Sequence, residues 1–447
     1  MAEVLTAVAA LAIAALTLFL GRRDVTRPAV AFGVVWFGFV ALAQLRLTTL
    51  ETPWPAGFRL LVFAGGLAFV GAATLAGGTA AVRRDAGVRR DDHRGRPLVI
   101  AALVLCACGV AGTAYKAHVL GGLPLLSGEA DVVRARAIQG GEVVVPAWST
   151  ALTNCFYLGM WCALLALWVL RGRTPRVRLA ALWALAAGAL FGVALLASRN
   201  TLLFAAGIPV ICAYLIARPE RRAARLAWAG LAAGIVVLIV GGLFVARLAE
   251  RAPQEETFLD RELAAQPLVL KPLVPFYINA VYPLEAASRV YRAVPDQIPY
   301  THGAASLTSL PDAAFPEGKP PFGDDTGVLM RSPEAPGLGW TVAGYEGRLL
   351  ADAGPAGVVL GSLLLGLGFG ALYRWARGRP GVLPVVLVAY LAYYSAFMVY
   401  DNYLSFTVIG VFDLAVVAAI GALARREGGA PVAEAPGGGA TAAPATG

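Results

Sequence analysis

Apolar runs of about 20 residues recur along this chain, and each is long enough to cross a bilayer core about 30 Å thick. Eleven can be marked, roughly 3–20, 28–47, 58–82, 98–118, 148–170, 178–197, 200–217, 224–246, 354–375, 382–399 and 404–423. Within lipid no water is present to satisfy backbone N–H and C=O groups, so runs of this length are expected as helices. They lack the short alternating segments of an outer-membrane barrel. Composition agrees: 58% of residues are hydrophobic and 15% charged, and the mean hydropathy is +0.68. The expected fold class is an all-α polytopic membrane protein of about 11 transmembrane helices.

Charge placement supplies an orientation. The short segments 21–27, 83–96, 171–178, 218–225, 374–379 and the tail after 423 carry 22 of the 37 basic residues. Such loops face the cytoplasm in membrane proteins. The reading is therefore N-out and C-in, and the net charge of +9 reflects inner loops that meet anionic lipid, not nucleic acid. No basic residue precedes the first run, and Arg22 and Arg23 follow it, so it reads as a span and not as a leader peptide. The chain divides into residues 1–246 with eight spans, a large outer loop 247–353, residues 354–423 with three spans, and a cytoplasmic tail 424–447. The tail is Gly, Ala and Pro with little charge, a composition expected to be disordered. The large loop holds nine basic and fourteen acidic residues. Within it, 267–293 reads as an amphipathic helix lying against the bilayer. The five cysteines all fall inside spans, with no disulfide framework and no metal-ligand spacing. No Walker A motif is present, which argues against a nucleotide-driven pump.

Arginines on the outer side are unexpected from topology alone. Arg134 and Arg136 follow "GGLPLLSGEADVV", Arg199 sits in a tight "SRN" turn, Arg289 and Arg292 share a face of the amphipathic helix with Glu285, and Arg348 precedes the ninth span. Arginine stays charged and presents a planar fork that pairs bidentately with phosphate oxygens. A cluster of these at the outer surface suits a lipid-linked phosphate or diphosphate. Any one of them alone is more readily accounted for by snorkelling or a surface ion pair, as with Arg289 and Glu285. Asp413, inside the last span, is either a functional group or a hydrogen-bonding partner for a neighbouring helix. Gly357 and Gly361, and Gly366 and Gly370, are spaced for close helix packing.

Three stretches together carry a family likeness: "GGLPLLSG" with arginine following, "SRNTLLF" at a tight outer turn, and "TVAGYEGRLLADAGPAGVVLGSLLLGLGFGALY" after the long loop. Arg292 and Gly303 add an arginine with a glycine eleven residues on. The chain thereby resembles the O-antigen polymerase, or oligosaccharide repeat-unit polymerase, family of integral-membrane glycosyltransferases. The resemblance implies transfer of glycan from undecaprenyl diphosphate to a sugar hydroxyl of the next lipid-linked unit, on the outer side of the cytoplasmic membrane. It implies no metal and no cofactor, and a partner that regulates chain length. Arg134, Arg136, Arg199 and Arg292, with Arg289 and Arg348 beside them, would hold the departing diphosphate. His302 and Glu346, then Asp352 and Asp401, are candidates for the base that takes the hydroxyl proton. An O-antigen ligase differs only in its acceptor. A lipid-glycan flippase or transporter would show inverted repeats and broken helices with charges at mid-membrane. Of these features the sequence offers only Asp413.

Overall fold

The computed structural model describes residues 2–21, 24–48, 51–78, 95–122, 147–170, 175–195, 199–216, 274–297, 299–303, 305–306, 344–377, 379, 382–400, 413 and 415–419. Among them all regular structure is helical: α1 (Ala2–Leu20), α2 (Pro28–Ala43), α3 (Ala56–Gly77), α4 (Gly95–Leu120), α5 (Ala147–Leu170), α6 (Arg176–Leu195), α7 (Arg199–Ile216), α8 (Val274–Ala293), α9 (Gly344–Arg377) and α10 (Val382–Phe397). Six, α1, α3, α4, α5, α6 and α9, contain stretches long and apolar enough to cross a membrane, and α2, α7 and α10 contain shorter apolar ones. The expected run 224–246, most of 404–423 and the tail 424–447 lie outside the described residues.

The chain forms two compact units. One comprises residues 1–88 and 200–414, the other 89–199 and 415–447. In the second, α5 packs against α4 and α6 through glycines. A Cβ on Gly109 would lie 2.6 Å from the Phe156 ring, and one on Gly192 would lie 2.7 Å from it. Without a hydrophobic driving force between helices in lipid, such close approach is what holds them together.

The first unit is built on α2, α3 and α9. Phe32, Trp36, Phe37, Phe58, Phe69 and Tyr345 are almost wholly buried in one core. α1 and α2 form an antiparallel hairpin, with Gly21 against Val30 and Gly33 against Thr17. α2 and α3 are antiparallel in turn, since Gly33 meets Val70 while Gly66 meets Trp36. α3 and α9 run parallel: Gly65 lies against Val358, Gly366 against Phe69 and Ala73, and Gly370 against Ala73 and Gly77. The spacing of Gly366 and Gly370 thus serves helix packing. α10 returns antiparallel to α9, with Val388 and Leu391 packed on Tyr373 and Ala376. The outward faces of α1, α3 and α9 remain apolar, with Leu5, Phe19, Leu60, Leu75, Leu360 and Leu364 exposed. A bilayer would solvate those faces.

These directions give the unit two distinct ends. One gathers the start of α1, the end of α2, the starts of α3 and α9, the end of α10, and α8; here Arg46 pairs with Glu3 and Tyr345 N–H donates to Met398 O at 3.2 Å. The opposite end carries Asp24 and Arg27, 3.4 Å apart, and Arg374, Arg377 and Arg379. There Arg379 stacks over Trp375 at 4.3 Å. The basic residues expected in two inner loops therefore share one end.

α9 is broken. Ala353 (φ −149°) and Gly354 (φ 67°, ψ −161°) leave the helical region just before Pro355. A proline preceded by a left-handed glycine ends one helix and starts another. The short piece before the break leans back on the long one, since a Cβ on Gly361 would lie 2.7 Å from Leu349. The expected ninth span, 354–375, corresponds to the piece after the break.

Candidate functional site at the α8 end

α8 falls inside the segment expected to be an amphipathic helix. Its apolar face, Val281, Leu284 and Ala287, packs against protein, in the core with Trp54, Phe58, Tyr345 and Met398. Its polar positions fasten it to the segment between α2 and α3. The Tyr277 hydroxyl donates to Glu51 and accepts Leu47 N–H at 3.1 Å. Two turns on, Glu285 accepts Thr52 N–H at 3.2 Å, Thr52 Oγ1 at 2.6 Å and Trp54 Nε1 at 3.2 Å, with Arg289 Nε 3.6 Å from it. Arg292 donates to Pro53 O. Contacts at residues 277, 285 and 292 fall on one side of the helix because they are spaced by about whole turns. Glu285, Arg289 and Arg292 share a face, as their i, i+4, i+7 spacing requires.

Glu51 is the titrating member of this fastening. Burial raises its carboxyl above the ordinary 4.5, and the nearby Glu285 adds to the rise, against hydrogen bonds from Tyr277 and Thr48 that favour the charged form. A carboxyl whose folded pKa is raised binds its proton more tightly when folded. The stability this gives is complete below about 4.5 and is lost as pH rises through the folded value. The melting-temperature difference between wild type and Glu51→Gln should accordingly move against wild type as pH rises from 4 into the neutral range. A pH-independent difference would show that Glu51 titrates as it does unfolded.

Residues 299–303, 305 and 306 lie over the break in α9. Asp352 Oδ1 accepts Thr301 Oγ1 at 2.6 Å and the N–H groups of Gly303 and Ala305 at 2.9 Å, and its Oδ2 accepts Ser306 N–H at 2.9 Å. Arg348 Nη1 donates to Ala305 O at 3.1 Å. Thr301 and His302 N–H donate to Ala351 O and Asp352 O. Asp352 is buried; His302 is exposed, with φ 47°. Glu346 lies deeper, 2% exposed. Its Oε1 accepts the Tyr345 hydroxyl at 3.1 Å, which in turn accepts Ser362 Oγ at 3.2 Å. Glu346 Oε2 is buried with no hydrogen-bond partner. Gly65 makes room for this carboxyl, since a Cβ there would lie 2.4 Å from Oε1.

The structure thus brings His302, Glu346, Asp352, Arg289, Arg292 and Arg348 to one end of the first unit. Arg199 opens α7, but its side chain lies outside the described residues, as do Arg134, Arg136 and Asp401. Four further groups at this end were not singled out from sequence: Tyr277, Tyr345, Ser362 and Arg59. Arg59 is in the first turn of α3, its Nε buried without a partner. A basic residue inside the third apolar run was the available signal for Arg59. Nothing local marks the others. Asp413 is fully buried, within electrostatic reach of Tyr390 and Tyr394, whose hydroxyls lie 2.6 Å apart. Among the described residues no three His, Cys, Asp or Glu side chains are grouped to hold a metal ion.

The fold and this end define an all-helical protein with several membrane-length apolar helices and a polar, charge-bearing end opposite a basic one. Comparison with models of known families, with curated proteins and with solved structures finds no match.

Proposed function

We propose that this chain is a multi-pass membrane glycosyltransferase of the cytoplasmic membrane that polymerises lipid-linked oligosaccharide repeat units, with eleven spans, N-out and C-in. The observation that carries the reading is the parallel packing of α3 and α9. Two parallel spans need an odd number of crossings between them, and the eleven-span reading supplies five. The same packing sets the α8 end opposite Arg27, Arg374, Arg377 and Arg379, so by the bias of basic residues to the cytoplasm the α8 end faces outward.

At that end the acceptor hydroxyl oxygen attacks the anomeric carbon of the growing glycan. The bond from that carbon to the diphosphate oxygen breaks, and undecaprenyl diphosphate leaves with the negative charge. Arg292 stabilises that charge, which grows in the transition state; Arg289, oriented by Glu285, and Arg348 support it. From sequence, the same role falls to Arg134, Arg136 and Arg199, whose side chains lie outside the described residues. The hydroxyl proton passes to a base. His302 is the exposed candidate, Asp352 already accepts at both oxygens, and Glu346 is buried. A regulator of chain length is the expected protein partner.

Deleting the gene in its host and resolving surface glycan on a gel tests this. Loss of polymerisation leaves single repeat units on the final acceptor, and Arg199→Ala or Arg134→Ala should reproduce that pattern with normal membrane insertion. Long chains stranded on the lipid carrier would make it a ligase instead, and units trapped on the inner face a flippase. Normal polymer from both arginine variants removes the diphosphate clamp.

A further inference from the structure

The loop over the break in α9 is held far more firmly than a connecting turn needs. Seven hydrogen bonds tie residues 301–306 to Arg348, Ala351 and Asp352, and four of them end on the Asp352 carboxylate. The loop is also seated by shape. A Cβ on Gly354 would lie 2.6 Å from the Tyr300 hydroxyl, so the glycine at the break is what lets Tyr300 approach. Inside this clasp two consecutive residues take left-handed backbone, His302 at φ 47° and Gly303 at φ 98°. Glycine adopts that state freely, whereas for histidine it is unfavourable because the Cβ crowds the backbone. A strained conformation persists only where its surroundings over-determine it, and such places cluster at functional sites. The strained residue is exposed, while the carboxylate that holds its loop is buried.

We infer that Asp352 is a positioning residue, which locks the 301–306 loop onto the broken helix α9 and so fixes the His302 imidazole where it meets the acceptor hydroxyl. The inference rests on the polymerase reading for the hydroxyl and stands on geometry for the clasp. Asp352 acts through His302 and does not itself take the proton: three donors occupy Oδ1 and one occupies Oδ2, most of what a carboxylate accepts. Asparagine would keep an oxygen for the Oδ1 donors but would turn an NH₂ toward Ser306 N–H.

The test uses the purified full-length protein in nanodiscs with a polyprenyl-diphosphate oligosaccharide, and compares wild type, Asp352→Asn, His302→Ala, the double variant and His302→Gly. Displacing a catalytic group by about 1 Å costs on the order of 100-fold in rate, so Asp352→Asn should lower kcat by about that factor with KM for the donor little changed. In the His302→Ala background the same substitution should cost nothing further. Additive losses would overturn the inference, because a merely structural aspartate acts whether or not His302 is present. His302→Gly should raise the melting temperature while losing activity; glycine that keeps full activity overturns it too. Independently of turnover, carbethoxylation of His302 by diethyl pyrocarbonate, read by mass spectrometry, should change at least severalfold in rate in Asp352→Asn, and an unchanged rate means the clasp does not fix the imidazole. If Asp352→Asn does not fold, Thr301→Val, which removes one donor to Oδ1, carries the same readouts. A wild-type protein that makes no polymer sinks the polymerase reading, and the carbethoxylation rates then still decide the clasp.

Discussion

Glu285→Ala should loosen α8 from the rest of the first unit and lower the melting temperature of the purified protein far more than Arg46→Ala does. The Glu285 side chain is 1% exposed and accepts from Thr52, twice, and from Trp54. Truncation leaves the Trp54 indole N–H and the Thr52 groups unpaired beneath α8. It also leaves Arg289, whose side chain is only 15% exposed, facing the vacated position. Three donors lose their acceptor here, and leaving a buried donor unsatisfied costs about 1–3 kcal/mol. The contrast is Arg46→Ala. Arg46 and Glu3 also pair, but their side chains are 28% and 33% exposed. Exposed pairs contribute about 0–1 kcal/mol after solvent screening. Heating each variant in detergent and following the folded peak by size exclusion ranks the two. Equal shifts would mean that apolar packing of Val281, Leu284 and Ala287 alone docks α8, and that the polar contacts beside it add nothing.

The helices of the apolar runs were legible because their signal is local. The run 3–20 became Ala2–Leu20, and 28–47 became Pro28–Ala43, the latter ending early because Leu47 and Thr48 are tied to Tyr277 and Glu51. Gly78, at φ 70°, closes the third helix before the apolar run ends. The break at Gly354 is marked by Gly–Pro in the sequence. The short helix before it was not legible, because "GYEGRLLADAG" carries three charges that read as a loop. Glu346 and Asp352 looked like outward acids for the same reason; their burial comes from α3 and from residues 301–306, which nothing nearby in sequence announces. The partnership of Glu51 with Tyr277 spans 226 positions and leaves no periodic trace. Local pattern therefore placed these acids near the break in α9. Which of them are held inward and which face out depends on contacts between distant segments.

Gly366 and Gly370 should be the least replaceable residues of α9 after its break, and Gly368, between them, among the most. A Cβ on Gly366 would lie 2.5 Å from Phe69 O and 2.9 Å from Ala72 Cβ; one on Gly370 would lie 2.5 Å from Ala73 O and 2.9 Å from Gly77 N. The obstacles are largely backbone atoms of a helix, which cannot rotate aside as the end of a side chain can. α3 and α9 would have to separate, and dispersion contacts along the whole seam weaken with distance. Overpacking of this kind costs about 1–3 kcal/mol for each added methyl that cannot be accommodated. Gly366→Ala and Gly370→Ala should each fall in that range, and valine at both positions should leave little folded protein. Gly368 has nothing within 4 Å of its Cβ position. Alanine there should be neutral or stabilising by up to about 1 kcal/mol, the difference in helix propensity. The two seam variants should also disturb the far end of the same interface, because α3 carries Gly65 against Glu346 and Val358. A loss of activity that exceeds the loss of folded protein in Gly366→Ala would show that the seam sets the geometry of the α8 end. If Gly368→Ala is as harmful as its neighbours, the parallel seam between α3 and α9 is wrong, and with it the proposal that five spans lie between them.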